Sequence, residues 1–268
     1  VTEDTHPGDS ILLSQRLTLR AYTVFALQAA KGATLGGKLL VFSGFGREGI
    51  AAALGAMLAG AACLGIDPDP QLVKLAMREG GCDFMVNSLD EALRILKNEV
   101  RKQRSVSVGV PVSDSGGAAQ VLASLVQRGV QPDLLTDFLL SPPAAVPDAA
   151  DEDASDTTAA QILAMQSLAA RGATLLDLSG RLAGWLPTGV ISAQHLEKQF
   201  AQRSGYELFH HQAKSATALH KFDEAALNLL PLDDRLRRRW IEQAPKYFRR
   251  QIPERWLWVT AEERAKLV

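Results

Sequence analysis

The stretch Leu39–Asp69, LLVFSGFGREGIAAALGAMLAGAACLGIDPD, leaves few folds open to this chain. An apolar run reads as a buried strand. A glycine turn follows, then a helix of small residues, a second buried strand and an acidic end. Gly44, Gly46 and Gly49 have the G-x-G-x-x-G spacing. The first glycine permits a tight turn, the second lets a phosphate approach the backbone, and the third lets helix and strand pack closely. The helix N-terminus offers free N–H groups and positive dipole charge to an anion. Asp67 closes the next apolar run, 23 positions after Gly44, where an acid hydrogen-bonds a ribose hydroxyl in such units. Strand, turn, helix and acid occur in the order of a Rossmann-type unit.

The rest of the first two thirds repeats the alternation. Asp9 or Ser10 caps a helix to about Lys31. Strand Leu39–Phe42, helix Arg47–Gly60 and strand Ala62–Ile66 follow. Asp69-Pro70 reads as N-cap and first-turn proline of a helix to Glu79. Asp83–Val86 is a short strand, and Ser88 with Glu91 forms a capping box for a helix reaching Gln103. Then come strand Val106–Val110, helix Ala118–Arg128, strand Asp133–Thr136, helix 158–171 and strand Thr174–Leu178. Such alternation predicts an α/β fold, a doubly wound parallel sheet with right-handed crossovers. Residues 141–157 interrupt it with three prolines and five acids (Asp148, Asp151, Glu152, Asp153, Asp156). A mobile lid and a plain surface loop both fit that composition. Beyond Gly180 the pattern changes to helical, aromatic sequence with no further parallel-strand signal, and all four tryptophans lie there. The reading is a Rossmann-like domain over 36–184, with 9–35 and 185–268 forming a smaller helical lobe.

Composition excludes several classes of partner. A net charge of −1 gives no bulk attraction to nucleic acid or an anionic membrane. The basic run Arg235, Arg237, Arg238, Arg239, with Arg249 and Arg250 beyond, is interleaved with Asp233, Asp234, Glu242 and Glu254, as on a solvated helix face. No apolar run reaches the roughly 20 residues of a membrane span. Cys63 and Cys82 read as buried thiols in a reducing, cytoplasmic setting. His6, His195, His210, His211 and His220 form no metal-ligand spacing. His210 and His211, read as helical neighbours, point about 100° apart. Any ligand belongs outside the carboxyl ends of the strands. Gly44, Gly46, Gly49, Asp67, Ser113, Asp114 and Asp137 map there. Ser113–Gly117 is either a second ligand loop or a plain strand–helix connection.

Several collinear segments resemble urocanase (urocanate hydratase). GKLLVFSGFG at 37–46 is similar to the strand entering that family's glycine loop, and LAGAACLGIDPDP at 58–70 to its second strand and acidic turn. NSLDEAL at 87–93 and AAQVLASLVQRGVQPDLLTD at 118–137 match closely. AMQSLAARGATLLD at 164–177 and the segment 238–267 are weaker but in order. The resemblance covers the NAD-binding insert and flanking core. It implies NAD+ acting as an electrophile, a cytoplasmic homodimer and a lyase of histidine catabolism. It adds Arg47 and Glu48 to the cofactor-binding set, which becomes Gly44, Gly46, Arg47, Glu48, Gly49, Asp67, Ser113 and Asp137.

The departures bear on activity. Arg47 and Glu48 stand where the family has glycine and methionine. A carboxylate at Glu48 repels a pyrophosphate, and Arg47 offsets it. Asp67 replaces a glutamate on the ribose. Phe138, Leu139, Leu140, Ser141 and Pro142 replace a polar run on the nicotinamide side, and Leu178, Ser179, Gly180 and Arg181 replace a Tyr-Gly-Asn-Asn run after the acid matched by Asp177. The family's catalytic cysteine falls beyond Val268. The expectation is a urocanase-related chain without autonomous hydratase activity, holding NAD or another small ligand at the switch point. The alternative is a hydratase-type lyase, divergent or completed by a partner chain. An NAD-dependent oxidoreductase and a pure scaffold complete the set.

Overall fold

The computed structural model describes residues 7–29, 34–113, 115–141, 152–186, 188–248 and 253–268. His6, Asp114, Arg249, Arg250 and most of the acidic tract (Asp148 and Asp151 included) lie outside the described residues.

After α1 (Pro7–Gln28), which starts upstream of the expected Asp9/Ser10 cap, strands and helices alternate as the sequence predicts. The order is β1 (Leu39–Ser43), α2 (Arg47–Ala59), β2 (Ala62–Asp67), α3 (Pro70–Glu79), β3 (Phe84–Met85), α4 (Leu89–Arg101) and β4 (Val106–Pro111). Next come α5 (Ser115–Gln127), β5 (Leu134–Asp137), α6 (Glu152–Ala170), β6 (Thr174–Asp177), α7 (Leu182–Trp185) and β7 (Val190–Ser192). The seven strands form one parallel sheet in the order β3-β4-β2-β1-β5-β6-β7. The sheet is doubly wound and Rossmann-like. The chain leaves β1 for β2 on one side and returns to β5 on the other, so the switch point lies between β1 and β5.

Strand alternation builds two cores. Leu39 and Val41 of β1 face α4, α5 and α6, where Leu96, Leu122 and Met165 are buried. Leu40 and Phe42 face α1, α2 and α3. Residues Gly49 to Ala59 of α2 are all buried, because α2 lies between the sheet and α1. Hence its alanines and glycines: a Cβ at Gly55 would stand 2.6 Å from the Tyr22 backbone nitrogen. A helix apolar all round has no solvent face to present.

The terminal lobe is not wholly helical. β7 extends the main sheet, pairing parallel to β6. After α8 (Ala193–Ser204), strand β8 (Glu207–Gln212) pairs antiparallel with β9 (Glu254–Val259). Between and after them lie α9 (Ala216–Leu229), α10 (Arg235–Tyr247) and α11 (Ala261–Leu267). β7 has only three residues, too few to show a period. β8 places polar His210 and His211 among strand-forming residues, so the pair occupies a strand and its side chains alternate across the ribbon. The lobe and the α2 face of the sheet share one apolar cluster, which includes Trp240, Leu257 and Trp258. Among the described residues no helix is long and apolar enough to cross a membrane, and no group of three His, Cys, Asp or Glu can hold a metal ion.

Candidate functional site

The glycine loop has the conformation its spacing predicts. Gly44 has φ +95°, open to glycine but strained for other residues. Its N–H donates to the Ile66 carbonyl at 2.7 Å. A Cβ at Gly49 would stand 1.8 Å from the Gly44 carbonyl oxygen, so the first turn of α2 rests directly on the loop. Gly46 is the N-cap of α2 without a side-chain cap, and a Cβ there would meet nothing within 4 Å.

Phe45, between the first two glycines, is fully buried. Its ring sits over Gly65 of β2 and Gly109 of β4, which are register partners. A Cβ at Gly65 would fall 2.2 Å from the Phe45 ring. Two strand glycines therefore make the slot that holds the loop down. An interior strand glycine often marks such a close approach, and this was the available sequence signal.

The acids at the strand ends turn inward. Asp67 is 0% exposed. One carboxylate oxygen accepts from the Phe45 N–H and the other accepts from the Asp69 N–H at 2.7 Å. Burial pushes its pKa above the usual aspartate range, against those two hydrogen bonds. The residue read from sequence as a ribose ligand thus clamps the glycine loop to β2. Asp137 behaves alike. One oxygen accepts from the Leu139 and Leu140 N–H groups, at 2.9 and 2.7 Å, and the other accepts from the Gln161 side chain. Burial raises its pKa to about 6. Asp177, at the end of β6, accepts from the Gly180 and Ala183 N–H groups at 2.7 and 3.0 Å. Each of the three strands ends in a carboxylate that stops its own loop. An acid one methylene shorter than glutamate reaches the local backbone and no further.

Ser113 is exposed at the end of β4, and α5 already begins at Ser115, which shortens the expected second ligand loop. Arg47 is exposed at the start of α2. Glu48, next to it, meets Arg181 Nη2 at 2.7 Å, while Arg181 Nη1 donates to the Phe138 carbonyl at 3.2 Å. Arg181 thereby ties the loop after β6 to both sides of the switch point. From sequence alone Arg181 is only a departure from the family's pattern. Phe138 covers Gly44, whose Cβ would lie 3.1 Å from that of Phe138. Beside Glu48 a cavity of about 240 Å³ opens between α1, α2 and α8, lined by Arg20, Glu197, Ser179 and Gln194 among others.

Residues 18–140 match the family model of the urocanase Rossmann-like domain. Over that segment the chain is related to the urocanase Rossmann-like domain. Solved structures with a similar chain path include a putative short-chain dehydrogenase/reductase from Burkholderia xenovorans, 18% identical with a TM-score of 0.30, matched over 53% of this chain and 56% of that one. Another is an NADH-dependent reductase A1-R′ complexed with NAD, 18% identical with a TM-score of 0.29, matched over 59% of each chain. The chain thus spans little more than half the length of either.

A dinucleotide on this urocanase-related domain needs a glycine turn, an uncovered helix N-terminus and an acid open to the ribose. The turn is present, and Gly46 leaves room for a phosphate. The acid is not open: both oxygens of Asp67 are taken by backbone N–H groups in a fully buried position. Glu48 adds a carboxylate in the first turn of α2. The residues present do not fit NAD held in the ordinary Rossmann manner.

Proposed function

We propose that this chain is a urocanase-related binding domain without hydratase activity. Its ligand is a small molecule in the cavity beside Glu48, in place of a dinucleotide across the glycine loop. The observation that carries this reading is the internal engagement of Asp67. The apolar Phe138, Leu139 and Leu140 agree with it, since they stand where the resemblance implies polar contacts to nicotinamide, and the Arg181–Glu48 pair keeps a carboxylate at the start of α2. Calorimetric titration of the chain with NAD+ and with ADP-ribose tests it. The expected result is no heat from either and an unchanged melting temperature. Micromolar binding of both would overturn it.

A second reading has one observation in its favour. Gly44, Gly46 and Gly49 keep the geometry of a phosphate-binding turn, and the uncapped start of α2 remains an anion seat. On that reading the domain binds NAD+ as an electrophile and belongs to a lyase. It requires Arg181 to leave Glu48. The same titration on Arg181→Ala separates the two, because only the second reading expects NAD+ affinity to change with the bridge.

A further inference from the structure

The cavity beside Glu48 has charges of both signs on an apolar wall. We propose that its occupant is a small zwitterion, an α-amino acid with an aliphatic side chain. The inference rests on the reading of that cavity as the ligand site. Arg20, on α1, meets both Glu197 oxygens through Nε alone, at 2.7 and 2.8 Å. Its two terminal guanidinium nitrogens bond no other described residue, and its side chain is 38% exposed. Glu48 uses one carboxylate oxygen on Arg181 and is 40% exposed. The lining thus offers a guanidinium fork to a carboxylate and the Glu48 carboxylate to an ammonium, while of the two other lining acids Glu197 is paired with Arg20 and Asp177 with backbone N–H groups. Leu17, Val24 and Leu178 supply the apolar wall.

Charge selects among ligands. A simple anion satisfies Arg20 but meets repulsion from Glu48 and Glu197. A simple cation satisfies the carboxylates and crowds Arg20. A zwitterion places one charge on each. Size agrees, since about 240 Å³ is below the ~300–1,000 Å³ of pockets for drug-sized ligands and suits a molecule with a short branched side chain.

The test is calorimetric titration of the full chain with L-leucine, isocaproic acid (leucine without its amino group), isoamylamine (leucine without its carboxyl group) and NAD+. Leucine is expected to bind at least tenfold tighter than either half-molecule. Glu48→Gln, at a half-exposed position where folding is not at stake, is expected to weaken leucine about tenfold and, by removing a like charge, to tighten isocaproate. Equal affinity for isocaproate makes the cavity a plain anion site and overturns the proposal. Equal affinity for isoamylamine makes it a cation site and does the same. Silence from all three overturns the zwitterion assignment. If NAD+ then gives heat, the reading of the cavity as the ligand site falls with it.

Discussion

The Asp67 carboxylate and the Phe45 backbone are joined across the ends of β1 and β2: the buried acid at the end of β2 accepts from the N–H inside the glycine turn. The Phe45 ring then inserts between Gly65 and Gly109. Side chain and backbone of one residue thus hold the loop from two directions. The turn is shaped as if for a phosphate, but its acid serves the fold.

Removing that acid exposes its role. Asp67→Ala leaves the buried Phe45 N–H without its partner, while the N–H of exposed Asp69 can turn to water. An orphaned buried group costs about 1–3 kcal/mol, and denaturant unfolding should show a loss of about that size. A loss below about 0.5 kcal/mol would mean that the clamp contributes nothing.

Two glycines make a paired test. At Gly65 a new Cβ would overlap the Phe45 ring at 2.2 Å, whereas at Gly46 it meets nothing within 4 Å. Gly65→Ala should cost about 1–3 kcal/mol or more through overpacking, and Gly46→Ala, at an N-cap where alanine is poorer than glycine, should cost less than about 1 kcal/mol. Thermal unfolding of the two variants side by side gives the answer; equal effects would contradict the slot.

Asp137 sets a pH dependence. Its folded pKa, about 6, lies above the ordinary aspartate value. The folded state therefore binds more protons than the unfolded chain between those two values. Stability contributed by this group is full below the unfolded pKa and is lost as pH rises towards 6. Asp137→Asn keeps an oxygen for the Leu139 and Leu140 N–H groups and can donate to a reoriented Gln161 amide. It should therefore stabilise the chain by about 2–3 kcal/mol at about pH 7.5 and have little effect near pH 4. Urea titrations at both pH values check the sign.

Ion pairs at different depths should behave differently. Arg237 is 4% exposed in its side chain and contacts Asp234 at 2.5 Å and Glu263 at 2.6 Å. It also donates to the Trp258 carbonyl at 3.2 Å. Arg237→Ala strands two carboxylates and should cost about 3–5 kcal/mol. Arg181→Ala breaks a bridge open to solvent and should cost no more than about 1 kcal/mol. Chemical denaturation of both variants in one buffer makes the comparison direct.

Much of the fold is legible because it rests on local, periodic signals. Apolar runs gave β1, β2 and β4, and Gly60 and Gly80 stop α2 and α3 in the left-handed conformation that glycine tolerates. Asp69 caps α3 through the Gln71 N–H at 2.8 Å, as Asp-Pro predicts. The three-residue β7 and the ribbon of β8 with β9 were not legible. Their strand character comes from partners distant in sequence, such as Leu176 opposite Ile191 and His210 opposite Trp256.

The sequence by itself determined the order of strands and helices, the glycine turn after β1 and the acids at the strand ends, because these follow from residue spacing and backbone preference. Tertiary structure alone decided which way those acids face. Gly65 and Gly109 admit Phe45, the loop drops onto the sheet, and its N–H comes within reach of Asp67. A carboxylate sealed from water must be met by donors, and the nearest are the loop's own N–H groups. Spacing places an acid at the edge of a sheet. Packing decides whether that acid is left for a ligand.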